Sequence, residues 1–188
     1  CVIIDWGCLF EREKVALKEW IVEENLQVKR VLNTHLHLDH AFGNRFLYQE
    51  YGVKPEAHQA DEFLIPQMAI QADVFNIPME DEAMPLGNYL NEGDVIQFGN
   101  QTLELFHIPG HSPGSLVYFH RKKKVLFAGD VLFRGSIGRT DLPKGDHHAL
   151  INNIQIKLMV LPEETIVYSG HGPTTSIKFE KENNPFLS

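Results

Sequence analysis

Apolar and polar positions change their period several times along the chain, and each change marks an element. Cys1 to Asp5 is a short apolar run that reads as a strand already in progress, and Glu11 to Asn25 sets Val15, Leu17, Ile21 and Val22 among charges at roughly helical spacing. Val28 to Thr34 predicts a second strand, His35 to His40 a loop, and Ala41 to Tyr51 a helix closed by Gly52. A short strand is expected near Val53 to His58. The stretch from Phe63 to Leu90, interrupted by Met and Pro, has no clear period and is expected either to cover a site or simply to pack.

From Asp94 the pattern shortens. Val95 to Phe98, Thr102 to His107, Ser115 to His120 and Lys124 to Ala128 predict short strands separated by Gly, Asn or Lys turns, which is a meander. Residues 147 to 160 suit a helix, Thr165 to Tyr168 a strand, and Asn183-Asn184-Pro185 a polar turn. Two β-rich regions with helices between them support an α/β or α+β class. No repeat, low-complexity segment or linker divides the chain. A single domain over residues 1 to 188 is therefore expected, missing one or more strands that would precede Cys1.

Composition narrows the chemistry. A chain of 188 residues, 43% hydrophobic and 22% charged, has the make-up of a soluble globular protein with one substantial core. No apolar run approaches the roughly 20 residues of a membrane span. The formal charge of -8 offers no basic field for nucleic acid or an anionic membrane, so a small-molecule substrate is expected. Two cysteines, Cys1 and Cys8, make no disulfide framework, and a reduced cytoplasmic protein is the simpler expectation.

The ten histidines form the compositional anomaly, because most sit in short clusters beside Asp and Gly. Thr34-His35-Leu36-His37-Leu38-Asp39-His40 places two imidazoles two residues apart at a strand end, where alternation lets both face one way. The turn that follows can bring Asp39 and His40 toward a second position close by. Imidazole and carboxylate ligands suit zinc, iron or manganese. Pro109-Gly110-His111-Ser112-Pro113-Gly114 and Ser169-Gly170-His171-Gly172-Pro173 each hold a further His among small, turn-forming residues. Between them, Phe127-Ala128-Gly129-Asp130 puts a carboxylate directly after a buried strand, where it would be costly unless it met a cation. Asp130 is therefore the candidate bridging ligand.

THLHLDH, PGHSPGS, AGD and SGHGP, in this order, resemble the ligand motifs of the metallo-β-lactamase superfamily over essentially the whole chain. The resemblance implies a four-layer αββα sandwich and two divalent metal ions, zinc first, with iron or manganese as alternatives. It places His35, His37 and His111 on one ion, Asp39, His40 and His171 on the other, and Asp130 between them. An Asp at the bridging position resembles the glyoxalase II, lactonase and related hydrolase branches. The segment Phe133 to Asp141 and the closing Asn184-Pro185-Phe186 are similar to short glyoxalase II-like hydrolases, which lack the C-terminal helical domain of the larger enzymes. Arg139 aligns approximately with a basic residue that contacts glutathione in that family, which makes it the candidate substrate-binding residue; bonding to loop carbonyls is its structural alternative.

The resemblance implies hydrolysis of a thioester such as S-lactoylglutathione by a hydroxide shared between two ions, with Asp39 orienting it and shuttling its proton. Rival readings are a mononuclear-iron persulfide dioxygenase, a lactonase or other ester hydrolase, and a metal-binding module without catalysis. His58, His107, His120, His147 and His148 lack a ligand pattern and are expected at the surface or behind the ligands. Asp5, at a strand end, is expected to support them. Arg121 to Lys124 reads as a solvated hairpin turn.

Overall fold

The structure, a computed structural model, describes residues 1–77 and 84–187. Contacts group the chain into two compact units, Cys1–Tyr89 and Leu90–Ser188.

In the first unit, β1 (Val2–Ile4), β2 (Arg30–Leu32), β3 (Pro55–Ala57) and β4 (Asn88–Tyr89) form a parallel sheet in the order β1-β2-β3-β4. Parallel neighbours need crossovers, and the chain supplies them with α1 (Glu11–Glu23), then α2 (Leu38–Ala41) with α3 (Asn44–Tyr51), then a 3-10 helix (Gln59–Gln67) running into α4 (Met68–Val74). Helix α1 starts where the Glu13 carboxylate accepts from the backbone N–H groups of Leu9 and Phe10, which otherwise lack helical partners. Its Leu17 and Ile21 pack with Ile3, Val31 and Leu47, while Leu36, Leu38, Ala41 and Ala57 form a second cluster with Leu64, Met68 and Ala72. The stretch without clear period thus contributes core in its first half; its residues 78–83 lie outside the described residues.

In the second unit, β5 (Val95–Phe98), β6 (Gln101–His107), β7 (Leu116–His120) and β8 (Val125–Gly129) make the expected antiparallel meander. Next, β9 (Leu132–Phe133) and β10 (Ser136–Ile137) form a small separate hairpin. After α5 (His147–Asn153), β11 (Ile166–Ser169) returns parallel to β8, β12 (Thr175–Ser176) pairs antiparallel with β11, and α6 (Ile177–Asn183) follows. The sheet order is β12-β11-β8-β7-β6-β5. Every residue of β7 is buried, which explains its continuous apolar run. Val117, Phe119, Leu126 and Val167 share one cluster with Leu150, Ile154, Leu158 and Ile177.

Several boundaries differ from expectation. The segment His35 to His40 is not all loop: α2 begins at Leu38 and carries Asp39 and His40 on a helical turn. The helix expected from Ala41 to Tyr51 is broken at Phe42 and Gly43, where the Gly43 N–H donates to the Trp6 carbonyl and the chain passes too close to Trp6 for a side chain. Residues 147 to 160 begin as α5 and widen into a π-helix over Ile154–Leu158, with the Met159 N–H reaching back to the Ile154 carbonyl. The two-residue strands and α6 were too short for periodicity to reveal.

Candidate metal centre

Each unit gathers its own set of ligand-type side chains. In the first, the chain leaves β2 through Asn33 and Thr34 into His35 and His37, whose rings meet edge to face with centroids 4.7 Å apart. The His35 and His40 centroids are 4.1 Å apart, and His40 Nε2 lies 3.6 Å from Asp39 Oδ2. The one-turn helix α2 produces this convergence, since it folds the chain back immediately after His37.

Asp5 sets the protonation of two of these rings. Its Oδ2 accepts from His40 Nδ1 at 3.1 Å and from the Thr34 hydroxyl at 2.6 Å, while Oδ1 accepts from the Thr34 backbone N–H at 2.7 Å. A Thr34 hydroxyl that gives its hydrogen to Asp5 receives the Nδ1 hydrogen of His35, 3.0 Å away. Both imidazoles then present the lone pair of Nε2. Carboxylate support behind a histidine in this way fixes ring orientation and raises ligand basicity. Asp5 holds a left-handed backbone with φ of 50°, a conformation disfavoured for side-chain-bearing residues but tolerated best by Asp and Asn. Two residues on, a side chain at Gly7 would place its Cβ 2.0 Å from the Asp39 carbonyl oxygen. The strand end and the turn that carries Asp39 and His40 can approach this closely only because residue 7 is glycine.

In the second unit Asp130 follows β8, His111 stands in the loop between β6 and β7, and His171 follows β11. Asp130 Oδ2 lies 3.7 Å from His111 Nε2 and 3.7 Å from His171 Nε2. These separations are too long for hydrogen bonds, yet short enough for two atoms that share an ion at roughly 2.0–2.2 Å each. The β8 and β11 ends are tied by the Gly170 N–H on the Gly129 carbonyl at 2.8 Å, and the Ser169 hydroxyl ties β11 to β9 by donating to the Leu132 carbonyl at 2.6 Å. His111 Nδ1 lies 2.8 Å from the Arg139 carbonyl, which can only accept, so Nδ1 carries the proton and Nε2 the lone pair. Gly138 completes this cradle, because a Cβ there would sit 1.9 Å from the Asp130 carbonyl oxygen and 3.1 Å from His111 Cβ.

The donor sets fit divalent ions: in both units neutral imidazole nitrogens are turned outward by acceptors behind them, beside carboxylates that supply negative charge. His35, His40 and His111 are buried, whereas Asp39 and His171 are exposed and open to solvent-borne ligands.

The remaining residues take supporting places. Arg139 is exposed, and its guanidinium grips Asp141 through Nε to Oδ1 at 2.7 Å and Nη2 to Oδ2 at 2.8 Å. That pairing draws the Asp141 carboxyl down to about 2. His107 Nε2 bonds the Pro113 carbonyl at 2.8 Å and so braces the loop that carries His111, and His120 Nε2 bonds Gln101. His58 caps the 3-10 helix, while His147 and His148 are exposed on α5. Arg121 to Lys124 forms the turn between β7 and β8, as expected. Cys1 and Cys8 are unbridged; burial, with a bond to Glu13, pushes the Cys8 thiol up to about 12. Among the described residues no helix is long and apolar enough to cross a membrane.

The profile of the metallo-beta-lactamase superfamily matches residues 1–171, which takes in every residue above from Asp5 to His171. The chain belongs to the metallo-beta-lactamase superfamily. Its fold is the one this membership implies. A Haemophilus influenzae superfamily relative, hydroxyacylglutathione hydrolase GloC, is 41% identical over 187 residues, spanning 99% of this chain and 86% of its own. The crystal structure of the BLEG-1 B3 metallo-beta-lactamase superposes with a TM-score of 0.88 at 39% identity, covering 100% of this chain and 88% of the other. A further solved structure, TTHA1623 in a di-iron-bound form, gives a TM-score of 0.85 at 35% identity over 98% and 88% of the two chains. The chain is thus a metallo-hydrolase of the superfamily with glyoxalase II-like homologues.

Sequence reasoning assigned no role of their own to Thr34, Gly138 and Asp141, which it met only inside longer motifs, and passed over Gly7 and Glu180. A signal existed for some of them: Asp5-Trp6-Gly7 puts a carboxylate and a glycine at a strand end, and Glu180 sits three residues after Ile177, on the buried side of a short helix.

Proposed function

We propose that His35, His37 and His111 hold one divalent ion, that Asp39, His40 and His171 hold a second, and that Asp130 joins them, in a hydrolase that cleaves a glutathione thioester such as S-lactoylglutathione. The observation that carries this reading is the placement of Asp130 Oδ2 at 3.7 Å from the Nε2 atoms of both His111 and His171. One carboxylate that faces two imidazoles from different loops suits a bridge. Support for the substrate class comes from the hydroxyacylglutathione hydrolase name of the 41% identical relative.

Divalent ions lower the pKa of a coordinated water toward neutrality and polarise a carbonyl. The chain's own residues do the rest. Asp5, through Thr34 and His40, and the Arg139 carbonyl, through His111, hold three imidazoles in the tautomer that donates Nε2. Asp39, half-exposed, accepts the proton that a water gives up as its oxygen bonds to the thioester carbonyl carbon, and passes that proton to the thiolate released when the C–S bond breaks, or to solvent. A thiolate leaves without a strong acid, so no Ser or Cys nucleophile is needed. Arg139 receives a carboxylate of the glutathione part, and the incoming group replaces Asp141 on the guanidinium fork, exchanging one charge-assisted pair for another.

The test combines metal analysis of purified protein with an assay of thioester, lactone and persulfide substrates. Two ions per chain with turnover of S-lactoylglutathione is the expected outcome. A single iron with oxygen consumption on glutathione persulfide overturns it in favour of the dioxygenase. Iron in place of zinc is a second reading of the metal, favoured by the di-iron-bound form of the 35% identical structure.

A further inference from the structure

Fifty residues after Asp130, the carboxylate of Glu180 is fully buried, an expensive place for a charged group type unless donors surround it. Donors do surround it. The Gly135 N–H lies 3.2 and 3.1 Å from its two oxygens, the Thr175 hydroxyl donates to Oε1, and Asn184 Nδ2 donates to Oε2 at 2.7 Å. Asn184 Nδ2 also donates to the Ser136 carbonyl at 3.1 Å, and the Arg134 guanidinium lies 4.2 Å from the centroid of the Phe179 ring. Three consecutive residues, Arg134, Gly135 and Ser136, are therefore gripped from α6 and the residue after it.

Arg134 and Gly135 are the tip of the β9–β10 hairpin and Ser136 opens β10; the register pairs only Phe133 with Ser136 and Leu132 with Ile137. A ribbon this short does not hold its own shape in water. Its base carries the chemistry: Asp130 precedes it, the Gly138 N–H closes it on the Val131 carbonyl at 3.3 Å, and the Arg139 carbonyl holds the Nδ1 of His111. The tip is thus joined, through one short ribbon, to the base that carries Asp130 and holds His111.

We propose that Glu180 is a positioning residue for the metal centre: by fixing the hairpin tip it sets Asp130 and, through the Arg139 carbonyl, His111 at ion-binding distance. The inference rests on the reading of Asp130 and His111 as ligands. It asks for hydrogen-bond geometry and not for charge, since a glutamine can point its carbonyl oxygen at Gly135 and Asn184 and its amide at the Thr175 hydroxyl.

The experiment titrates metal-free protein with Co2+ against a competing chelator and records the Co2+ absorption spectrum, alongside thermal unfolding of the metal-free chain. Glu180→Ala should weaken Co2+ binding roughly 10- to 100-fold, the range typical of groups that orient ligands from behind, and should alter the spectrum. Asn184→Ala should weaken it less, and Glu180→Gln should stay within about threefold of wild type. Leu103→Ala, a core truncation on β6 where Leu103 pairs with Ile96 of β5, outside the cluster that holds Leu132 and Ile137, should lower the melting temperature but leave Co2+ affinity within the same threefold. Unchanged affinity in both Glu180→Ala and Asn184→Ala overturns the proposal, as does a loss in Glu180→Gln equal to that in Glu180→Ala, or a loss in Leu103→Ala equal to either. If Glu180→Ala does not fold, Asn184→Ala against Leu103→Ala decides. Asp130→Ala separates the two levels: Co2+ binding indifferent to Asp130 sinks the ligand assignment itself, whereas binding that needs Asp130 but ignores Glu180 and Asn184 sinks only the positioning role.

Discussion

His111 Nδ1 and the main-chain carbonyl of Arg139 meet at 2.8 Å, so the residue proposed to hold substrate with its side chain holds a proposed metal ligand in place with its backbone. The two roles separate cleanly in a variant, because substitution removes the guanidinium and leaves the carbonyl.

Arg139→Ala should accordingly retain its metal content while raising KM for S-lactoylglutathione by about tenfold, with little change for a small neutral thioester. Steady-state kinetics on both substrates together with elemental analysis checks this. Equal damage to both substrates would remove Arg139 from glutathione recognition.

Asp141 competes for the same fork, and its carboxyl is held down to about 2, chiefly by the Arg139 hydrogen bonds. A depressed acid contributes stability above its ordinary value of 3.8, and that contribution disappears as pH falls through about 2. The pair should therefore persist at pH 4, visible in an NMR titration as an Asp141 carboxyl that has not yet begun to protonate. Asp141→Asn should lower KM for the anionic thioester by roughly threefold, because the substrate carboxylate no longer has to displace it. A raised KM would mean that Asp141 presents Arg139 to the substrate instead of occupying it.

Asp130→Ala should lose metal at both positions and His40→Ala mainly at one, since a bridge belongs to two coordination spheres and a terminal ligand to one. Stoichiometry after loading with zinc, iron and manganese decides. Identical losses in the two variants would show the bridging assignment to be wrong.

Gly138→Ala pushes a methyl group to within 1.9 Å of the Asp130 carbonyl oxygen, which is backbone and cannot swing aside. Unfolding of the metal-free variant should show destabilisation of about 1–3 kcal/mol, the usual cost of overpacking, accompanied by weaker metal binding. Wild-type stability with wild-type metal content would mean that the hairpin base yields easily and does not set the ligand geometry.

Much of this was legible in the residues. The shift from strand-then-helix units before Tyr89 to a run of short strands after Asp94 anticipated two separate β-regions, the second a meander, because side-chain burial on each element follows its backbone period; that the first sheet is parallel came from the structure. Histidines clustered beside Asp and Gly at strand ends pointed to metal, since few other environments repay so many close imidazoles and carboxylates. What periodicity missed were elements shorter than its own repeat, the β9–β10 hairpin and β12, and the break in the helix after Ala41 imposed by Trp6.

The sequence by itself determined the identities of the ligand-type side chains and the local turns that present them, because a His after a strand or an Asp between glycine and a bend is set within a few residues. Only the tertiary structure decided what stands behind those ligands. Asp5 reaches Thr34 and His40 across 29 and 35 residues, the Arg139 carbonyl reaches His111 across 28, and Glu180 reaches Gly135 across 45. No local pattern encodes such pairs: a backbone carbonyl or a buried carboxylate finds its donor through the packing of whole elements, and hydrogen-bond partners are chosen by distance in space, not along the chain.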